Sequence, residues 1–177
     1  EAAVGGLERL LAARARGEGL LLRLDELSQG RREVLLDEHL AGMRAASPPE
    51  CVFALDLDGL RRPEITLLTA WRLPADAQPG AQPEDVGELV AMGALKELTP
   101  TCATEGGHGE LKSMRTSARH LPQGAAQAIL TEPLSIARQR GYARASLETG
   151  STPAFEPAMA MYRPIAPVSK PYKMVGG

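Results

Sequence analysis

The sequence predicts an α/β or α+β fold, a sheet with helices on its faces. Three observations carry that reading. Hydrophobic residues make up 44% of the 177, enough for the core of one domain. Aromatics are only 3%, so the core must be built mostly from Ala, Leu, Ile, Val and Met. Strand-like and helical segments follow in an order that places strands joined by turns first and helical crossovers later. The 18 glycines and 14 prolines predict many turns between them.

Each element has a local reason. Residues 7–16 (LERLLAARAR) repeat Leu, Ala and Arg at helical spacing, and Gly17-Glu18-Gly19 stops them. They predict a short helical extension over 1–19, ahead of a main domain at 20–177. Leu20 to Leu24 is a compact apolar strand. Asp25 or Ser28 caps a helix running to about Ala46, with Leu36, Leu40 and Met43 on one face. Ser47-Pro48-Pro49 ends it. Residues 50–63 are open between helix and loop, with a turn at Asp56-Leu57-Asp58-Gly59. Residues 64–72 (EITLLTAWR) read as a strand and 74–85 as a proline-rich loop. Residues 89–98 (LVAMGALKEL) are a strand whose Gly93 signals a bulge or a close backbone approach. After a loop at 99–107, residues 110–116 (ELKSMRT) alternate as a half-buried strand. Residues 124–140 form a helix that Pro133 should kink and Gly141 should end. A strand at 143–149 and a short helix at 153–163 complete the order.

Composition excludes several function classes. A net charge of −2 with 24% charged residues is not a disordered polyion, and lacks the Lys and Arg excess of a nucleic-acid binder. No apolar run approaches the ~20 residues of a membrane helix. No basic stretch precedes an apolar one, so a signal peptide is not expected and a cytoplasmic location is. Cys51 and Cys102 are too few and too distant to form a disulfide framework. His39, His108 and His120 show no metal-ligand spacing, so no metal is expected.

The informative stretch begins at residue 110. A strand ends, a turn follows, and a helix opens at Gln123-Gly124-Ala125-Ala126. The first helical amides have no partner within the helix, and the dipole adds positive charge there. Small residues let an anion approach those amides closely. Taken alone, the same small residues also suit plain packing.

Residues 110–116 (ELKSMRT), 120–130 (HLPQGAAQAIL), 138–149 (RQRGYARASLET) and 158–163 (AMAMYR) go further, as do 40–60 and 93–98 (GALKEL). Through them the chain, from about Leu21 to Arg163, resembles the GCN5-related N-acetyltransferase (GNAT) family, small bacterial members above all. The resemblance implies a mixed, mostly antiparallel sheet with splayed central strands and helices on both faces. It implies acetyl-CoA as co-substrate in the resulting cleft and a primary amine as acceptor. The backbone of Met114, Arg115 and Thr116 would pair with the pantetheine arm. The amides of Gln123, Gly124, Ala125 and Ala126 would hold the pyrophosphate, with Phe155 at the position of a family asparagine beside the cofactor. Tyr162 would protonate the leaving thiolate, a role its ordinary pKa of about 10 suits.

Glu110 and Glu148 sit on the two strands that would flank the cleft. Glu110 is the candidate base, Glu148 and Met43 candidates at the acceptor side, and each also reads as an ordinary strand or core residue. Leu121 and Pro122 stand where the family usually has a basic or polar residue and a glycine. They support a second reading, a binding module for an acyl-CoA or a protein that keeps the fold without turnover. The Ala- and Leu-rich N-terminal helix offers a surface for a homodimer.

Overall fold

The computed structural model describes residues 8–12, 19–25, 37, 41, 57–102, 105–117, 124–149 and 156–164. Six strands form one sheet in sequence order: β1 (Glu8–Ala12), β2 (Gly19–Asp25), β3 (Ile65–Leu73), β4 (Glu88–Thr99), β5 (Gly107–Thr116) and β6 (Tyr142–Leu147). The first five pair antiparallel, and β6 joins β5 parallel. A parallel step needs a crossover. Here it is α3 (Ala125–Gln139). Two single-turn helices, α1 (Leu57–Leu60) and α2 (Pro83–Val86), flank β3, and α4 (Glu156–Tyr162) follows β6.

Residues paired across strands share a face of the sheet. One face carries Leu21, Leu67, Trp71, Leu89, Met92 and Ala94, which pack with Leu57 and Leu60 of α1. Trp71 is fully buried, and its indole N–H donates to Thr69 Oγ1 at 3.0 Å. The opposite face carries Leu22, Leu68, Ala70, Gly93 and Leu95, and α3 lies against it through Ile129. Helices therefore cover both faces of a mostly antiparallel sheet, as the resemblance implies.

Three expectations need correction. The segment read as an N-terminal helix contains a strand, β1, paired from Glu8↔Arg23 to Ala12↔Gly19. A helix of so few residues is marginal alone, whereas a sheet edge satisfies its backbone with a ladder of hydrogen bonds. Of residues 56–59, read as a turn, 57–59 lie within the helical turn α1, and the loop at 74–85 encloses the start of α2, whose Pro83 suits a first helical position. Of the helix expected to end near Ala46, Asp37 and Ala41 are described, and both are helical. The chain divides by internal contact into Glu1–Leu147, which holds the whole sheet, and Glu148–Gly177, which holds α4.

α3 runs unbroken through Pro133, which is buried and removes one helical donor. Gly141 ends the turn beyond it with φ +72, a left-handed value that only glycine adopts without strain.

Candidate active site

β5 and β6 pair over half the length of β5. Their register runs from Gly107↔Tyr142 to Leu111↔Leu147, and β6 ends there. β5 continues to Thr116, still bonded on its other side to β4 as far as Ala91↔Thr116. Among the described residues the ladder between β5 and β6 therefore stops at Leu111, while β5 runs on. A strand end of this kind can take an extended, amide-bearing ligand as an added strand would.

The same stretch is bulged. Met92 pairs with Arg115 and Ala94 with Lys112, so the single residue Gly93 stands opposite both Ser113 and Met114. Ser113 adopts φ +53, a left-handed angle. Gly93 fits the site because it has no side chain: a Cβ there would lie 2.7 Å from both Ile129 Cγ2 and Met114 Sδ. The sequence marks this place through Gly93, but nothing in it marks Ser113. A bulge re-aims side chains and local strain gathers at functional sites. Here it leaves Lys112 and Arg115, on either side, projecting from the same face as Trp71.

The start of α3 is open. Gly124 is its N-cap with φ +81 and nothing within 4 Å of where a Cβ would be. No side chain caps the helix, and no acidic residue occupies its first turn. The earliest helical bond closes from Ala128 N to Gly124 O at 3.0 Å. The amides of Ala125, Ala126 and Gln127 thus lack an intrahelical acceptor, and they point where the helix dipole favours an anion. Ala125 is buried and Ala126 half-buried, and neither carries a bulky side chain of its own.

Ionisable residues gather on the Trp71 face. Glu110, 9% exposed, pairs with Lys112 at 2.9 Å. In register it lies between Lys96 of β4 and Ser146 of β6. Ser146 Oγ is 2.8 Å from His108 Nε2, and Arg144 Nε donates to the same ring nitrogen at 3.2 Å. On the other face the Tyr142 hydroxyl donates to Glu97 at 2.7 Å; burial and that carboxylate raise its pKa above 10.0. Tyr162, half-buried on α4, is likewise raised by burial. Glu148 departs from expectation: β6 ends at Leu147, and Glu148 is exposed just beyond it. Gln123, Phe155 and Met43 lie outside the described residues, as do Leu121 and Pro122. Among the described residues no cluster of His, Cys, Asp and Glu could hold a metal, and none of their helices is long and apolar enough to cross a membrane. Cys102 is an exposed free thiol whose sulfur bonds the backbone of Glu105.

Residues 35–165 match the Acetyltransferase (GNAT) family. The chain belongs to the GNAT family. The acetyltransferase is 45% identical over 142 residues to the uncharacterized N-acetyltransferase YsnE of Bacillus subtilis (strain 168), covering 80% of this chain and 81% of that one. It is 36% identical over 141 residues to the uncharacterized N-acetyltransferase YedL of Escherichia coli (strain K12), covering 80% and 77%. Among solved structures, an acetyltransferase of Trypanosoma brucei shares the fold at TM-score 0.57 and 18% identity, over 88% of this chain and 96% of that one. The acetyltransferase is thus an acyltransferase built on a mixed sheet whose fifth strand outruns its sixth.

Proposed function

We propose that the acetyltransferase moves an acetyl group from acetyl-CoA to a primary amine by direct attack. The observation that carries this reading is that β6 ends at Leu147, opposite Leu111, while β5 runs on to Thr116 past the bulge at Ser113. Acetyl-CoA supplies an activated acyl thioester when bound. The backbone of Met114, Arg115 and Thr116 takes its extended arm. The amides of Gly124, Ala125 and Ala126 take its diphosphate, with Gln123 and Phe155 as further contacts.

The chain's own groups then handle protons. Glu110 takes a proton from the acceptor ammonium, freeing the lone pair, directly or through a water. Lys112, at 2.9 Å, holds that carboxylate in place. A new C–N bond forms as the C–S bond breaks, the sulfur leaves with the electron pair, and the nitrogen sheds its second proton to water, from which Tyr162 is later reprotonated. Tyr162 returns a proton to that sulfur, since burial keeps its phenol protonated at neutral pH. Met43 and Glu148 serve the acceptor side. Most of the rate gain comes from holding the two reactants in line and from a backbone N–H at the bulge aimed at the developing oxyanion.

The test is a thermal-shift titration with acetyl-CoA, followed by thiol release with amines. At a hundredfold excess over the dissociation constant the expected stabilisation is about 3 kcal/mol. A melting temperature that stays unchanged at millimolar acetyl-CoA overturns the proposal.

A further inference from the structure

We propose that the acceptor amine also carries a carboxylate, and that Arg115 and Lys112 bind it. This inference rests on the acetyl-transfer reading above and names its acceptor class. Strand register assigns the side chains that meet an acceptor on the Trp71 face of β4, β5 and β6. Lys96 pairs with Glu110, Ala94 with Lys112 and Met92 with Arg115, while Arg144 pairs with His108 and Ser146 with Glu110. Among the described residues, the paired stretches of these strands carry on this face the cations Lys96, Lys112, Arg115 and Arg144 and the carboxylate Glu110, with Glu148 exposed just beyond the end of β6. The whole chain has a net charge of −2, so the excess of positive charge is local.

Burial makes the imbalance count. Lys112 has 18% of its side chain exposed and Glu110 11%, and Lys96 and Arg115 are half-buried, whereas Arg144 is exposed and counts less. Charges held this way are weakly screened by salt. Glu110 offsets one of the four cations through its 2.9 Å bond to Lys112, while Lys96 and Arg115 form no ion pair among the described residues. A second amine on the acceptor would meet like charge here, and a carboxylate would meet partners.

The bulge sets the spacing. Glu110 and Lys112 stand before it and Arg115 after it, all on one face. An acceptor whose ammonium faces Glu110 can therefore extend along β5, its carboxylate passing to Lys112 and the guanidinium of Arg115. Arg115 offers a planar, two-pronged donor suited to a carboxylate. Its backbone lies on the proposed pantetheine edge while its side chain serves the acceptor, so one residue contacts both reactants.

The experiment compares matched acceptors: α-amino acids against the amines left by their decarboxylation, phenylalanine and phenethylamine among them. Thiol release from acetyl-CoA gives kcat/KM, and a thermal shift with acetyl-CoA is run in parallel. The carboxylate-bearing member of each pair is expected to be favoured by about tenfold or more. Arg115→Gln should bring that ratio towards one through the acceptor KM. Equal or better turnover of the decarboxylated amines overturns the inference, as does an Arg115→Gln variant that loses acetyl-CoA affinity while keeping the preference. Acetyl-CoA binding without turnover of any acid-bearing amine overturns it and spares cofactor binding. Absence of acetyl-CoA binding overturns the acetyl-transfer reading and this one together.

Discussion

Ser113 holds a backbone angle that L-residues resist, φ +53 in the middle of a strand. The left-handed region costs an ordinary residue about 1–2 kcal/mol, and more when the side chain is branched at Cβ. Ser113→Val is therefore expected to be less stable than Ser113→Gly by about 2 kcal/mol, read from the midpoints of urea unfolding. Equal midpoints would mean that the bulge relaxes without strain. Tyr162 carries a second residue-scale expectation. Burial raises its phenol above 10.0, so folding favours the neutral form. That contribution to stability is complete below the unfolded value near pH 10 and fades as pH climbs through the higher folded value. Absorbance titration should show Tyr162 ionising above pH 10, a step missing from Tyr162→Phe. Tyr142 is raised in the same direction and is assigned separately with Tyr142→Phe. If Tyr162 is the proton donor, its Phe variant should lose about a hundredfold in kcat at neutral pH.

At the scale of elements, the start of α3 and the end of β6 divide the work. α3 presents amides because Gly124 leads into it without a capping side chain, and its first residues are small. A carboxylate placed in that first turn should have opposite effects on the helix and on its ligand. Ala126→Asp is expected to stabilise the free protein by about 0.5 kcal/mol through the dipole. The same change should weaken acetyl-CoA binding by about tenfold, because two anions would then compete for one set of N–H groups. A titration calorimetry experiment beside a melting curve checks both signs; unchanged affinity would remove the diphosphate from this helix. β6 contributes by ending early. Had it paired beyond Leu147, it would have closed the edge of β5 that runs to Thr116.

At the scale of the whole molecule, all six strands and α1 to α3 belong to the unit that ends at Leu147, and α4 belongs to the unit that begins at Glu148. The first unit contains the buried cluster around Trp71 and the helix packed on Gly93. A chain stopped after Leu147 should therefore keep a cooperative thermal transition and its sheet signal in circular dichroism. On the reading proposed above it should lose acetyl transfer, since the proposed proton donor Tyr162 is gone. A truncated chain that no longer melts cooperatively would show that the sheet depends on the later residues.

Much of this was legible in the residues themselves. β2 to β6 lie close to the apolar and β-branched runs, and Gly93 and Gly141 mark backbone positions that need glycine. The motifs around Glu110, Gly124 and Tyr162 sufficed for the family, because local chemistry of that kind is written in consecutive side chains. What they do not carry is pairing. Residues 7–16 have helical spacing, and only the neighbouring edge of β2 turns Glu8–Ala12 into a strand, since ladder bonds outweigh a weak local preference. Glu148 follows a strand pattern and still lies outside β6, because the backbone leaves the ladder after Leu147 even though β5 runs on. The left-handed angle at Ser113 and the crowd of cations on one face arise from register, a relation between distant segments. Short-range sequence thus determined the elements and the family, and tertiary pairing alone decided where the sheet opens and which charges meet there.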